Sequence, residues 1–458
     1  MKKQNESTLF VQLNSIEENK IIKYAFVLAL CWLFTPIAVI ILNLTGIGHD
    51  NVGTAWLNIE GIIGTLGLTV GLLYVYFERF IYGDKRTFKA IVRDYLPLAI
   101  LSVFLFWTLV CCLLAENKWI SFMGYYYRHE GFLTYFSYAG FIILGIIISK
   151  SDVYVLHAAR AFIGITGFLA LLSIMKFPFI KFIFGRDINP DEETFYRAIY
   201  YNTNHFGYIL ALAILTCFFL YLYDRKSKFY TAVYVLLAVL LINALILNDT
   251  LGSYLATIVC LLFVLIWKII NREIGKGHVI LFILTFFVVS LLSLIYTANL
   301  YNDFRSVFGD ISILNRYFAG REEIKELDTL GSSRGRLWKF AIVKIFEKPV
   351  FGYGLDGLAF PYIDAGFNND RPHNIFIQTA AFTGIPGLIM YVSVYVAGAV
   401  RLIKTRKTVS NIVKAASFIV VGYMMSAFFG NSMFYTSPYF LLIFGICCSG
   451  CITSFRDL

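Results

Sequence analysis

The chain is divided into apolar runs of about 17–25 residues, and that repetition leaves few folds open. A run of this length crosses the hydrocarbon core of a bilayer as a helix. Within lipid, each backbone N–H and C=O must find its partner inside the protein, which favours helices. About twelve such runs can be marked. They lie near 22–45, 58–81, 95–115, 131–149, 159–178, 205–223, 230–247, 250–270, 278–298, 374–400, 415–430 and 438–454. Composition agrees: 59% of the 458 residues are hydrophobic and 15% charged, where a soluble chain carries roughly 25% charge. The pattern predicts an all-α polytopic integral membrane protein of about 12 transmembrane helices, read as a single membrane domain over 1–458. Residues 1–20 are polar and mixed in charge, and the run after them is too long for a signal-peptide core.

Charge gives the orientation. The net charge is +10, and the basic residues gather in alternate loops. With Lys2, Lys3, Lys20 and Lys23 in the cytoplasm, the loops that follow on that side carry Lys85/Arg86/Lys89/Arg93, Lys150/Arg160, Arg225/Lys226/Lys228, Lys268/Arg272/Lys276 and Arg401/Lys404/Arg406/Lys407/Lys414. The opposite loops at 46–57 and 431–437 have no Lys or Arg. This alternation satisfies the positive-inside rule and puts both termini in the cytoplasm. The lipid bilayer is the implied partner. No basic–aromatic nucleic-acid module is visible, so no nucleic-acid partner is expected. The eight cysteines all lie in apolar runs and read as small buried residues.

Three outer segments are long: 116–130, 177–204 and a large outer loop over 299–373, between the ninth and tenth spans. Loops of such length usually serve function. They hold Arg128, Arg186, Arg197, Arg305, Arg316, Arg321, Arg334, Arg336 and Arg371, against the inside rule. An anionic substrate at the outer face would explain them, and scattered solvation charge is the plainer alternative.

Within the large loop, GRLWKFAIVKIFEKP has helical apolar spacing at Trp338, Ile342 and Ile345, with Lys339, Lys344 and Lys348 between. It predicts an amphipathic helix lying on the membrane surface and ended by Pro349. FGYGLDG spells G-x-G-x-x-G, but after a helix it predicts a tight turn and not a dinucleotide site. In GSSRGRLW, Ser332 or Ser333 can cap that helix. Arg334 and Arg336 at its N-terminus then make an anion site or greet lipid headgroups. YYYRHEGFLTY sets Arg128, His129 and Glu130 just outside the fourth span, as an interfacial belt or as part of a site. YYNTNHFGYIL opens the sixth span with Asn202, Asn204 and His205, where asparagines can cap a helix or bind sugar hydroxyls. In RPHNIFIQTAAFTGIPG, Asn374 can cap the tenth span, leaving His373 at the positive end of a helix beside arginines. Both influences keep imidazole neutral near pH 7, the state a general base needs. The plainer alternative is an interfacial histidine. Asp356, Asp364 and Asp370 show no metal-ligand spacing and read as solvated loop residues, and no cofactor is called for.

Four blocks in order, RHEGFLTYFSY, NTNHFGYILA, SSRGRLWKFAIVKIFEKPVFGYGLDGLAF and RPHNIFIQTAAFTGIPGLIMY, resemble the O-antigen ligase and O-antigen polymerase superfamily of bacterial envelope glycosyltransferases. The resemblance covers roughly 130–400. It implies an inverting, metal-independent enzyme of the bacterial cytoplasmic membrane with its site on the outer face. Its donor would be a polyprenyl (undecaprenyl) diphosphate-linked glycan and its acceptor a hydroxyl on a glycan, lipid or protein. By the resemblance His373 matches the general base and Arg334 the loop arginine on the diphosphate. Where many members have Ser-Arg, this chain has Thr250 and Leu251. Arg336, Arg371 or Arg128 could supply the missing contact, with Asn374, Asn204, His205 and Glu130 as acceptor-binding or structural support. Ligase and polymerase are not separated by sequence. A flippase or other polytopic transporter is the alternative, though the spans are nearly free of interior charge and the halves show no repeat.

Overall fold

A computed structural model of the chain describes residues 2–45, 52–81, 87–126, 128–175, 196–200, 202–224, 227–273, 275–300, 330–367, 369–405 and 408–449. The regular structure of these residues is helical throughout. In chain order the helices are α1 (Lys2–Leu44), α2 (Val52–Tyr76), α3 (Phe88–Asp94), α4 (Leu96–Leu114), α5 (Lys118–Met123), α6 (Phe132–Ile148), α7 (Asp152–Ile174) and α8 (Thr203–Tyr223). They continue as α9 (Lys228–Asn248), α10 (Leu251–Ile270), α11 (Lys276–Leu300), α12 (Leu330–Glu347), α13 (Ala359–Asp364), α14 (Ile375–Thr405), α15 (Asn411–Ala427) and α16 (Ser437–Ser449). Among the described residues nine helices are long and apolar enough to cross a membrane. Three shorter apolar helices, α6, α15 and α16, fall on the fourth, eleventh and twelfth expected runs. Much of 177–204, residues 301–329 with Arg305, Arg316 and Arg321, and also Arg186, Lys85, Arg86, Arg225, Lys226, Arg406, Lys407 and Cys451 lie outside the described residues.

The centre of the bundle is built from α6 and α8. α8 is buried from His205 to Leu220, so it contacts other helices around its whole circumference. α6 lies between α2 and α16 at very close range. A Cβ on Gly140 would stand 1.9 Å from the Gly64 carbonyl oxygen, and one on Gly145 would stand 2.1 Å from that of Leu442. Small residues at such crossings let backbones touch, which is how helices gain packing energy where lipid removes the hydrophobic difference. Leu72, Phe106, Leu236 and Leu284 remain on outward faces, as expected for helices bordered by lipid.

The two ends of the bundle differ. At one end, Arg160 donates to Asp224 (2.6 Å) and Tyr234 (2.9 Å), Lys268 pairs with Glu273 (3.2 Å), and Arg401 donates to the Arg93 carbonyl (2.8 Å). These are residues of the basic loops, brought together as the charge alternation requires. At the other end, the starts of α6, α8, α14 and α16 meet the ends of α9 and α15. His205 Nδ1 lies 2.7 Å from the Tyr435 hydroxyl, and Asn248 Nδ2 donates to the Thr203 carbonyl at 3.1 Å.

Helices α12 and α13 belong to this second end. The face that α12 buries is Leu337, Ala341 and Ile345, spaced four apart, with Trp338 beside them. Ile342, expected on that face, is 44% exposed, because the residue after Ala341 is turned about 100° around the helix. Ser332 and Ser333 lie inside the first turn of α12, which is described from Leu330. The interior of α2 holds one acidic side chain: Glu60 is 1% exposed and accepts a hydrogen bond from Ser137.

Candidate active site

Two of the quoted motifs dock on each other. The turn after α12 lies along the kink in α14: Ile385 N–H donates to the Pro349 carbonyl (2.8 Å), Tyr353 N–H to Ala381 (2.9 Å) and Gly354 N–H to Phe382 (2.9 Å). The kink is made by Gly384, at φ 70°, followed by Pro386. A Cβ on Gly384 would stand 2.0 Å from the Val350 carbonyl oxygen, so glycine is required by both backbone angle and space. Gly352, at φ 65°, is in the same position from the other side, with its Cβ direction closed by Phe382 and Ala381 backbone. G-x-G and G-I-P-G are therefore two halves of one backbone contact. It fixes the large loop to the membrane helix that carries His373.

The loops above this contact are joined by buried charge. Asp370 accepts from Arg128 through both oxygens, Nε to Oδ2 at 2.9 Å and Nη2 to Oδ1 at 2.8 Å. Arg371 donates Nε to Asp370 (3.2 Å) and Nη2 to Asp356 Oδ1 (2.8 Å). The second Asp356 oxygen accepts the backbone N–H of Tyr125 (2.8 Å) and of Glu130 (3.1 Å). Two arginines face two aspartates, and three loops are tied by them. Asp356 and Asp370, read from sequence as solvated, are 1% and 5% exposed, while Asp364 is exposed as expected. Burial pushes the Asp370 carboxyl up, but Arg371 and Arg128 outweigh it and hold the group well below the usual range. Burial lowers Arg371, and Asp356 and Asp370 more than reverse that. Glu130, fully buried, is pushed up to about 7 by burial, against a hydrogen bond from Tyr138 (2.6 Å).

His373 stands on this network. Asn374 caps α14, its Oδ1 accepting the N–H groups of Phe376 (3.0 Å) and Ile377 (3.1 Å). The indole N–H of Trp338 donates to the Pro372 carbonyl at 2.8 Å and so pins the segment to α12. His373 adopts φ 53°; His129 (52°) and Asp356 (53°) in the same cluster are also left-handed. Such conformations cost of order 1–3 kcal/mol each and persist where surroundings over-determine them, often at functional sites. The ring is held at both ends: Nδ1 lies 2.9 Å from Asn431 Nδ2, and Nε2 lies 3.3 Å from Asn369 Oδ1 on the exposed side. Burial first, then the charges of Arg128, Arg334 and Arg371, hold its pKa down to about 3. It is therefore a neutral imidazole at physiological pH.

The other expected residues divide. Arg334 is half-buried near His373 and makes no ion pair among the described residues. Arg336 is exposed and lies over the Phe367 ring at 4.8 Å. Arg128 and Arg371 belong to the carboxylate network. Asn202, not Asn204, caps α8, accepting from the Asn204 N–H at 2.8 Å and its side-chain amide at 3.0 Å. His205 is buried against Tyr435, and Thr250 bonds to Asn248, whose amide holds Tyr196 and Thr203 carbonyls. Sequence reasoning misses Asn431, since 431–437 stands out there only for lacking basic residues. Beneath the network a cavity of about 70 Å³ is edged by Tyr135, Tyr138, Tyr391, Tyr423 and Ser432. A larger apolar cavity of about 270 Å³ reaches Asp152 and Asp224 at the basic end and shares no residue with the His373 cluster.

No curated protein sequence matches the chain. Residues 236–392, about a third of its length, match the family model described as O-antigen ligase. The matched segment contains Arg334, Asp356, Asp370, Arg371, His373 and Asn374; it leaves out Arg128, Glu130, His205 and Asn431. Over this segment the chain is similar to the O-antigen ligase family.

Proposed function

We propose that the protein is a membrane glycosyltransferase that moves a glycan from a polyprenyl (undecaprenyl) diphosphate carrier to an acceptor hydroxyl. It works as a surface-polysaccharide ligase or polymerase, at the outer face of the bacterial cytoplasmic membrane. The topology proposed with it is twelve spans within one domain, both termini cytoplasmic, and the His373 end outside. The single observation that carries the reading is His373, neutral at the capped start of α14, beside an arginine that no carboxylate neutralises among the described residues.

The chemistry follows from those groups. Arg334 offers a planar fork to the diphosphate and stabilises the charge that develops on the leaving group. Arg336, two residues on, points from the opposite side of α12 and lies on Phe367, so Arg334 is the arginine assigned to the diphosphate. Arg128 and Arg371 hold the loops in place through Asp356 and Asp370. His373 takes the acceptor proton as the hydroxyl oxygen attacks the anomeric carbon from the face opposite the diphosphate. The glycosidic bond forms with inversion, and the carrier diphosphate leaves. A positioned base contributes about 10²–10⁴-fold.

Purified protein in lipid vesicles, given a carrier-linked glycan and an acceptor, tests this. New glycosidic bonds are expected from the wild type, and a large loss from Arg334→Lys, which keeps charge but not the fork. Full activity of Arg334→Lys would reduce Arg334 to a headgroup contact. The buried carboxyl of Glu60 is a feature a transporter would share. The same vesicles separate the two readings, because a flippase moves the carrier without making a bond.

A further inference from the structure

Asn431 sits in the loop between α15 and α16, 58 residues after His373 and outside the segment matched to the family. It is 4% exposed, and its side-chain amide faces Nδ1 of His373 at 2.9 Å. The other ring nitrogen, Nε2, faces the accessible side, where its neighbour is the exposed Asn369. Only Nε2 can therefore meet an acceptor hydroxyl arriving from outside.

A neutral imidazole carries one proton and one lone pair. Whichever nitrogen is protonated is fixed by the partner of the other. The Asn431 amide has two orientations of the same shape, and they assign opposite tautomers. With Nδ2 toward the ring, Asn431 occupies the Nδ1 lone pair, the proton moves to Nε2, and no basic nitrogen faces outward. With Oδ1 toward the ring, Asn431 accepts Nδ1–H and the lone pair is on Nε2, toward which the exposed Asn369 amide then turns its NH₂.

The geometry points to Asn431 as the positioning residue of His373: its amide oxygen accepts Nδ1–H and leaves Nε2 as the outward-facing base. The assignment rests on the proposed base role. It deepens that role by naming which nitrogen acts and what sets it. Asn431 touches no reacting atom; it acts through the histidine.

The direct measurement is ¹⁵N NMR of histidine-labelled protein in lipid nanodiscs, with the His373 signals identified by their loss in His373→Gln. Neutral His373 should be protonated on Nδ1 in the wild type. Protonation on Nε2 would overturn the assignment. Two variants add a functional readout. Asn431→Leu removes the acceptor and should lower kcat/KM by about 10²-fold or more, the scale seen when a histidine loses its orienting partner. Asn431→Asp keeps an acceptor for Nδ1–H and adds a charge within contact distance. It should retain most activity and move the acidic limb of the pH profile up by about 1–3 units. The other charged or titratable groups near the ring are Arg128, Arg334, Asp370, Arg371 and His205, and none of them is altered. An unmoved limb in Asn431→Asp also overturns the assignment. Where Asn431→Leu does not fold, the wild-type spectrum and Asn431→Asp decide. Full activity of His373→Ala would remove the base role itself. An inactive His373→Ala together with an Nε2-protonated wild type would remove only the role of Asn431.

Discussion

Replacing Asp356 by asparagine changes one atom and should destabilise the outer end of the bundle strongly. The buried network holds two arginines and two aspartates, with Arg371 at 1% exposure and Asp356 at 1%. The new amide could still accept the Tyr125 and Glu130 N–H groups through its one oxygen, but its NH₂ would then face the Arg371 Nη2 that now lies 2.8 Å from a carboxylate. Arg371 would be left with Asp370, which Arg128 already engages through both oxygens. One buried positive charge would lack a counter-charge. Breaking a buried pair from one side costs about 3–5 kcal/mol. The cost of Asp356→Asn should be about 3 kcal/mol, since no cavity opens and one acceptor survives. Thermal unfolding of the purified protein in detergent measures it. A double variant checks the cause. Asp356→Asn with Arg371→Met removes charge and counter-charge together, leaving Arg128 with Asp370. It should melt above Asp356→Asn alone, as replacing both members of a buried pair by groups that fit often does. Wild-type melting of Asp356→Asn, or further loss in the double variant, would refute the charge-balance argument.

Three further outcomes are expected. Because burial and arginine charge hold His373 to about 3, kcat/KM should not fall as pH drops through about 6.5, the ordinary histidine value. Bound diphosphate offsets the arginines, so the limb in kcat should lie higher than in kcat/KM; a kcat/KM limb at the ordinary value would argue against the neutral-base assignment. Glu130 is held up to about 7 in the fold against about 4.3 in an unfolded chain, so between those values the folded state holds more protons and stability falls as pH rises. Glu130→Gln should flatten that decline, and an unchanged slope in unfolding experiments would argue against the assignment. Gly384→Ala should disrupt the docking of the large loop, since its Cβ would meet the Val350 carbonyl oxygen at 2.0 Å; limited proteolysis of the 349–374 segment should quicken, and wild-type resistance would contradict the contact.

Much of the fold is legible in the sequence because lipid imposes a simple rule on length and polarity. Apolar runs mark the helices, and basic loops meet one another, as Arg93 does with Arg401 and Lys414 with Glu273. Local signals are legible too: Asn374 caps the helix it precedes, and Gly352 makes a turn. What stays hidden is pairing between distant segments. Asp370 finds Arg128 across 242 residues, and nothing beside either residue announces the other. The acids therefore read as solvated, and the arginines as substrate-binding or as scattered solvation charge. Asn431 is hidden for the same reason, since its meaning comes only from the ring it faces. Sequence places α12 correctly as amphipathic, but spacing alone favours Ile342 over Ala341, because a small buried alanine gives a weaker hydrophobic signal than an exposed isoleucine.

The most direct test of the central claim is single-turnover transfer by the purified protein in vesicles, with a radiolabelled polyprenyl-diphosphate glycan as donor. Wild type should form a new glycosidic bond and release carrier diphosphate, and a folded His373→Ala variant should be slower by about 10²–10⁴-fold. Transfer by His373→Ala at the wild-type rate, or carrier movement by the wild type with no bond formed, would contradict the account.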